Sequence, residues 1–523
     1  MCGILFSNNP GISESGFNSA LKLMIHRGPD TPPNTFSHHQ YKLGHTRLKI
    51  LDLDDRSNQP FVSYDGRYVM IYNGEIYNYK ELAKKFNLEL KTKSDTEVLL
   101  KLFERLGSEM LSLLNGMFSI VILDKLNDRF FAARDRLGVK PLYYSHNNGT
   151  YIFSSEIAPI LQLSNNNEYD AIGIRQYKKL RTFFNGRTIY SSIKMFPAGH
   201  FMQNEKLQSY WELPLVNKPS PDDHELYELI NASIEYRCIS DVPVGTYLSG
   251  GLDSTIITRL AKKYINKLHT WTVGFENENE FEYSDIASNQ FNTIHEKVIV
   301  SEIDFIETTR ELILKRKEPL SVPNEVLLYL MTKEVKKKNT VVLSGEGADE
   351  LFYGYDRIFR WASNNDWDIE QFSKLYSYGS HYDTEIVEDA VSPYLKYNST
   401  IDIVAAFFQT AHLHGLLRRL DNSTMFNSVE ARVPFVDYRL IERMAGVSFD
   451  YKMKNGIIKH PLKKIFSELV PKQIIERKKI GFPVPLDKIN FGTEYNDQGM
   501  DNWLNFNLRT LGVPAEFENE INA

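Results

Sequence analysis

Tyr247-Leu248-Ser249-Gly250-Gly251-Leu252-Asp253-Ser254 is the stretch on which the fold turns. Before it, residues 242–248 form a short apolar run that predicts a buried strand. After it, residues 254–263 carry Ile256, Ile257 and Leu260 at helical spacing. A strand that ends in Ser-Gly-Gly and opens a helix suits an anion. Two glycines let the backbone come close, and the free N–H groups of the helix start point at the ligand with the positive dipole end. Asp253 then puts a carboxylate beside the phosphates, which makes chemical sense if it holds Mg²⁺. Ser-Gly-Gly alone is also a common tight turn, so the neighbouring sequence has to decide.

Downstream the pattern alternates. Residues 269–275 read as a strand, 281–291 as a helix, 296–300 as a strand, 303–314 and 326–335 as helices, and 340–343 as a strand. Such alternation predicts a parallel sheet with its ligands at the carboxyl ends of the strands. Two further strand ends then matter. One is Trp271-Thr272-Val273-Gly274. The other is Ser344-Gly345-Glu346-Gly347-Ala348-Asp349-Glu350, whose acidic groups would repel a polyphosphate unless a cation intervened.

The chain has 523 residues, enough for two or more domains. Its formal net charge of −6 gives no basic face for nucleic acid, and Lys336-Lys337-Lys338 reads as a solvated helix end. Two cysteines exclude a disulfide framework and suit a reducing cytoplasm. No apolar run is long enough to cross a membrane, no secretory signal is seen, and there is no internal repeat.

Upstream, Cys2 would become the first residue once the initiator methionine is removed. It would then carry a thiol of pKa about 8.5 beside an α-amine of pKa about 8 that can accept the thiol proton. Residues 15–25 read as an amphipathic helix leading to the turn His26-Arg27-Gly28-Pro29-Asp30. Residues 44–52, containing His45-Thr46-Arg47-Leu48, alternate like a strand, and residues 68–72 read as another. That second strand feeds Asn73-Gly74-Glu75-Ile76, and Asn-Gly between strands is by itself a hairpin signal. Ser94-Asp95-Thr96-Glu97 starts a helix, and 118–124, 129–135 and 151–155 are further strands. Residues 214–223 hold three prolines and no periodicity, which places a boundary there. The expected division is 2–213, a linker at 214–223, a second domain at 224–490, and a C-terminal extension at 491–523. Cys238, at the end of the amphipathic residues 226–236, reads as inert filler.

The Ser-Gly-Gly-Leu-Asp-Ser string resembles the pyrophosphate loop of ATP pyrophosphatases. The Cys2-Gly, Arg-Gly-Pro-Asp, His-Thr-Arg-Leu, Asn-Gly-Glu and Ser-Asp-Thr-Glu motifs resemble the glutaminase domain of class II amidotransferases. The string from Arg134 to Tyr144 narrows the resemblance to the glutamine-hydrolysing asparagine synthetase family, over nearly the whole chain. That resemblance implies an α+β first half, a four-layer αββα sandwich of the N-terminal-nucleophile type. It implies an α/β second half with a parallel sheet and extra helices. Cys2 would attack glutamine, with Asn73 and the Gly74 N–H as the oxyanion hole, one donor of which is worth ~3 kcal/mol. Arg47 would clamp the glutamine α-carboxylate with both prongs, Asp95 and Glu75 would face its ammonium, and Leu48 and Ile50 would line the pocket.

In the second half the resemblance implies that Tyr247, Leu248, Ser249, Gly250, Gly251, Asp253, Ser254, Val273, Ser344 and Gly345 bind ATP. Asp253 and Asp349 would bind Mg²⁺, Glu346 would sit where ammonia meets the activated carboxyl, and Lys459 would neutralise the phosphates. The Ser428–Asp437 signature would pack behind that site, and Arg477 to Phe482 would be a mobile phosphate-facing loop. Glutamine, ATP and a carboxylate acceptor are the implied small-molecule partners, and the family often forms dimers.

Aspartate is the expected acceptor, with a sugar or peptide acid as the alternative. The segment Leu320-Ser321-Val322-Pro323-Asn324-Glu325 lacks the arginine that bacterial relatives carry there. Glu325 is therefore expected to read an ammonium or hydroxyl of the acceptor, unless a cation arrives from elsewhere. A ring-closing synthetase of the β-lactam type is disfavoured by the retained Cys2, Arg47, Asn73 and Asp95. A non-catalytic interaction protein is disfavoured by intact motifs in both halves.

Overall fold

The computed structural model describes residues 2–377, 383–478, 484–491, 499–515 and 517. Its first part holds strands β1 (Gly3–Ser7), β2 (Asn34–His38), β3 (Tyr41–Thr46), β4 (Phe61–Val62), β5 (Tyr68–Ile76) and β6 (Gly116–Asp124). They are followed by β7 (Arg129–Arg134), β8 (Tyr143–Asn147), β9 (Thr150–Ser154), β10 (Lys194–Met195), β11 (His200–Gln203) and β12 (Lys206–Ser209). These strands form two antiparallel sheets, ordered β10-β8-β9-β1-β3-β2 and β12-β11-β7-β6-β5-β4. Val69 and Ile71 of β5, with Val121 and Leu123 of β6, meet Ile4, Phe6 and Phe153 between the sheets. Met70 and Tyr72, one residue out of step, face the opposite side, where helix Asp95–Leu106 covers the second sheet. Helices Glu14–Lys22 and Ile157–Ser164 cover the first sheet. A strand buried on both faces has no polar alternation, which is why β5 and β6 are near-continuous apolar runs.

The second part holds β13 (Val244–Tyr247), β14 (His269–Gly274), β15 (Ile294–Ile299), β16 (Val341–Leu343) and β17 (Glu430–Arg432). All are parallel, in the order β15-β14-β13-β16-β17. Helix Leu252–Ala261 begins two residues earlier than the apolar spacing predicts, so Asp253 lies in its first turn.

One expectation in the first half needs correction. The alternating stretch 44–52 leaves the sheet at Thr46, because the Arg47 guanidinium gathers the carbonyls of the residues that follow it. Asn73-Gly74 is no hairpin turn. It lies within β5, with Gly74 opposite Phe118, and a Cβ on Gly74 would stand 2.0 Å from the Met117 carbonyl oxygen.

Helix Gly499–Leu511, inside the stretch read as an extension, packs on helix Glu302–Arg316 and buries Trp503 against Phe305 and Phe491. Trp503 is 0% exposed, so Trp503→Ala should cost about 3–5 kcal/mol in chemical denaturation. Leu126→Ala, at a side chain 74% exposed, should stay within about 0.5 kcal/mol of the parent. Equal midpoints for the two variants would place the C-terminal helix outside the core.

Candidate active sites

β1 delivers Cys2 to the end of the first sandwich, where the backbone N–H of Cys2 donates to Asn73 Oδ1 at 2.9 Å. That contact turns Asn73 Nδ2 the other way, and it is buried with no hydrogen-bond partner among the described residues. The N–H groups of Tyr72 and Ile76 point away from β6 and are taken by Gln59 Oε1 (2.6 Å) and Asp95 Oδ2 (2.9 Å). Period two along the strand sends the Gly74 N–H the same way, between those two. Asn73 Nδ2 and the Gly74 N–H can thus converge on one oxygen beside Cys2. Burial pushes the Cys2 thiol above its usual pKa, so its proton needs an acceptor. Met1 lies outside the described residues.

Cys2, Arg47, Leu48, Ile50, Gly74, Glu75 and Asp95 line a common pocket, so every residue expected at the glutamine site comes together except Asn73, which borders it through Cys2. The pocket holds only about 30 Å³, room for a water or two. Arg47 lines it with its guanidinium already engaged. Its two terminal nitrogens already donate to the carbonyls of Leu51, Asp52 and Asp54 and to Asn58 Oδ1. The two-pronged clamp expected of Arg47 is therefore not preformed, and its own loop occupies the prongs. Asp95 accepts from the Tyr72 hydroxyl at 2.8 Å, and burial raises the pKa of Asp95 and, further, of Glu75. Arg432 Nη2 stands 3.3 Å from Glu75 Oε2, and Glu430 lines the same pocket. The signature expected to pack behind the synthetase site thus brings Glu430 of β17 to the Cys2 pocket and Arg432 to Glu75 beside it.

The second site is a cleft of about 600 Å³ at the carboxyl ends of β13, β14 and β16, within the usual range for small-molecule sites. Tyr247, Ser249, Gly251, Asp253, Ser254, Ser344 and Gly345 line it as expected. Leu248, Gly250 and Val273 do not. The first and last are core side chains, and Gly250, at φ +72°, is backed by Tyr283, so Trp271 and Thr272 take their place in the wall. Lys459 Nζ joins Asp253 Oδ2 (2.5 Å) and Asp349 Oδ1 (2.6 Å). Burial lowers the Lys459 pKa, but the two carboxylates outweigh burial and hold the ammonium charged. Lys459 is held at φ +52° at the start of helix His460–Ile465, a left-handed conformation that β-carbons resist and that aims its side chain into the cleft. A pair of carboxylates that converge on one cation, beside a phosphate loop, is the donor set Mg²⁺ takes together with substrate phosphates. Arg477 Nη1 donates to the Gly250 carbonyl at 3.0 Å and also pairs with Glu280, while residues 479–482 of the expected phosphate-facing loop lie outside the described residues.

The acceptor expectation fails at Glu325. It is 1% exposed, ion-paired with Arg316, and accepts the Ser321 N–H at 2.9 Å, so it cannot read a substrate. The missing cation arrives instead from the bridging helix (Leu413–Met425). There Arg419 donates to Glu346 Oε1 at 2.6 Å and to Asn324 Oδ1 at 3.1 Å, within the cleft. No local signal marks Arg419, because its partners are 73 and 95 residues away.

A glutamine amidotransferase domain model matches residues 1–211, and an asparagine synthase model matches residues 225–509. Bacillus subtilis (strain 168) glutamine-hydrolyzing asparagine synthetase 1 is 30% identical, over 93% of this chain and 87% of its own. A putative glutamine-hydrolyzing asparagine synthetase 2 of Methanocaldococcus jannaschii is 36% identical over 68% of this chain and 76% of its own. Asparagine synthetase B of Escherichia coli (strain K12) is 27% identical over 88% and 77%. With two nucleophile- and nucleotide-type sites on one chain and matches across both halves, the protein belongs to the glutamine-hydrolysing asparagine synthetase family and is a glutamine-dependent carbon–nitrogen ligase.

Proposed function

We propose that this ligase converts aspartate to asparagine in two chemical stages, fed by ammonia released at Cys2. The observation that carries the reading is the convergence of Asp253, Asp349 and Lys459 on the helix start that follows Ser249-Gly250-Gly251. In the first site the Cys2 thiol gives its proton to the Cys2 α-amine, and the thiolate attacks the side-chain amide of glutamine. Asn73 Nδ2 and the Gly74 N–H hold the oxyanion, ammonia leaves, and water releases glutamate from the thioester. Asp95 and Glu75 meet the glutamine ammonium, and Arg47 meets its α-carboxylate after its loop lets go.

In the second site the aspartate side-chain carboxylate attacks the α-phosphorus of ATP, and pyrophosphate leaves toward Lys459 and the helix start. Asp253 and Asp349 would hold Mg²⁺, which supplies charge neutralisation for the triphosphate. Ammonia then attacks the acyl adenylate, Glu346 takes the proton that the nitrogen loses, and AMP departs. We place the two domains at 2–213 and 224–490, the second completed by helix Gly499–Leu511 and joined to the first by 214–223, and the enzyme in the reducing cytoplasm, where Cys2 and Cys238 stay free thiols. A second acceptor reading, a sugar or peptide acid, draws on the wall around Arg419. The cleft that Arg419 lines also has the apolar Val322, Pro323 and Leu416, beside Glu346, which Arg419 holds. Product identification with ATP, glutamine and a panel of carboxylates separates the two.

Cys2→Ala should abolish glutamine use and leave ammonia-driven amide formation intact, since the constellations occupy different halves. Intact mass of the parent should begin at Cys2, because a retained Met1 would remove the proposed base. Equal loss of both activities in folded Cys2→Ala protein would defeat this division of labour.

Asp253→Asn should stop synthesis by at least about a hundredfold while glutamine hydrolysis persists, with AMP as the nucleotide product of the parent. ADP with inorganic phosphate as products would remove the adenylation reading.

A further inference from the structure

Arg419 and Asp421 lie two residues apart on the bridging helix, so they leave it about 200° apart around the axis and face opposite ways. Arg419 faces the cleft and holds Glu346. Asp421 faces the first domain. Its Oδ2 accepts from Arg27 Nη2 at 2.9 Å, and its Oδ1 stands 3.4 Å from Lys140 Nζ. Arg27 also donates through Nε to the Cys2 carbonyl at 3.1 Å and through Nη1 to Glu156 at 3.1 Å. Arg27, Lys140 and Asp421 are 0%, 1% and 3% exposed.

Burying ions in this way adds little net stability, because desolvation offsets the attraction, but it fixes geometry. The guanidinium is a rigid fork, and three of its donors are pinned at three points. One of those points is the carbonyl of the residue whose thiol would react. With Asp421 gone, Glu156 alone would hold the terminal nitrogens, and the fork would turn off the Cys2 carbonyl. Asp421 is not among the residues lining the Cys2 pocket, and its link to the Cys2 backbone runs through Arg27, which donates to the Cys2 carbonyl.

We propose that Asp421, a residue of the second domain, is a positioning residue for the Cys2 nucleophile of the first. Through Arg27 it sets the Cys2 backbone in register with Asn73 and Gly74. The proposal rests on the reading of Cys2 as the nucleophile. It makes the reactive geometry of the glutamine site depend on a helix whose other face belongs to the synthetase cleft.

The test uses the full chain and measures kcat and KM for glutamine hydrolysis together with ammonia-driven amide formation. Asp421→Asn should lower kcat for hydrolysis by at least about tenfold, with KM for glutamine within about twofold and ammonia-driven synthesis retained. Asp421→Glu should recover part of the loss. Should Asp421→Asn fail to fold, Arg27→Lys keeps the buried charge but cannot reach three partners, and it should show the same selective fall in kcat. Parent-like kcat in a folded variant of either kind would overturn the proposal, as would equal loss of both activities, the mark of a merely structural role. Cys2→Ala is run alongside. If that variant still hydrolyses glutamine, the nucleophile reading has failed. If it is dead while Asp421→Asn matches the parent, only the positioning role has.

Discussion

Strands β13, β14 and β16 run parallel, so their carboxyl ends emerge on one edge and the three loops that follow must share one cleft. The loop after β13 brings the helix start and Asp253, and the loop after β16 brings Glu346 and Asp349. The end of β14 supplies Trp271 and Thr272 to the wall. Anything bound there meets a positive helix end beside several carboxylates, a conflict resolved only by cations. Lys459, from far along the chain, answers part of it.

The sequence displays this arrangement well because its causes are local. Alternation of short apolar runs with amphipathic segments follows directly from strands covered by helices on both faces. Ser249-Gly250-Gly251 is legible because glycine is needed where the chain turns at positive φ, as it does at Gly250. In the first domain, the helix start at Ser94-Asp95 was equally plain, its serine side chain accepting the Thr96 N–H. What stayed hidden rests on distant partners. Residues 47–52 keep an alternating pattern yet leave the sheet, because one guanidinium finds the carbonyls of its own loop. Glu-Ala-Arg in β17 lacks any strand character until β16 lies beside it. Glu325 looked like a substrate contact because nothing nearby in the sequence announces that Arg316 folds back onto it.

The two sites also differ in how ready they stand. The synthetase cleft is roomy, while the Cys2 pocket is small and its Arg47 is tied to its own loop. Four hydrogen bonds from one side chain to its own loop are a local arrangement that a ligand carboxylate can exchange for better ones, since charge-assisted bonds to a carboxylate exceed those to carbonyls. Were a ligand carboxylate to take those bonds, its binding and the opening of that loop would be one event.

The pairing of Arg27 with Asp421 also orders the making of the protein in time. The two residues are 394 positions apart, which at ribosomal speed is roughly 20–80 s of synthesis. Through that interval the first domain has Arg27 with Glu156, and Lys140, but not the carboxylate that bridges the two cations. A first domain made without it lacks one of the three points that hold the Arg27 fork. The contact between Arg27 and Asp421 therefore forms only after the bridging helix has left the ribosome, late in synthesis.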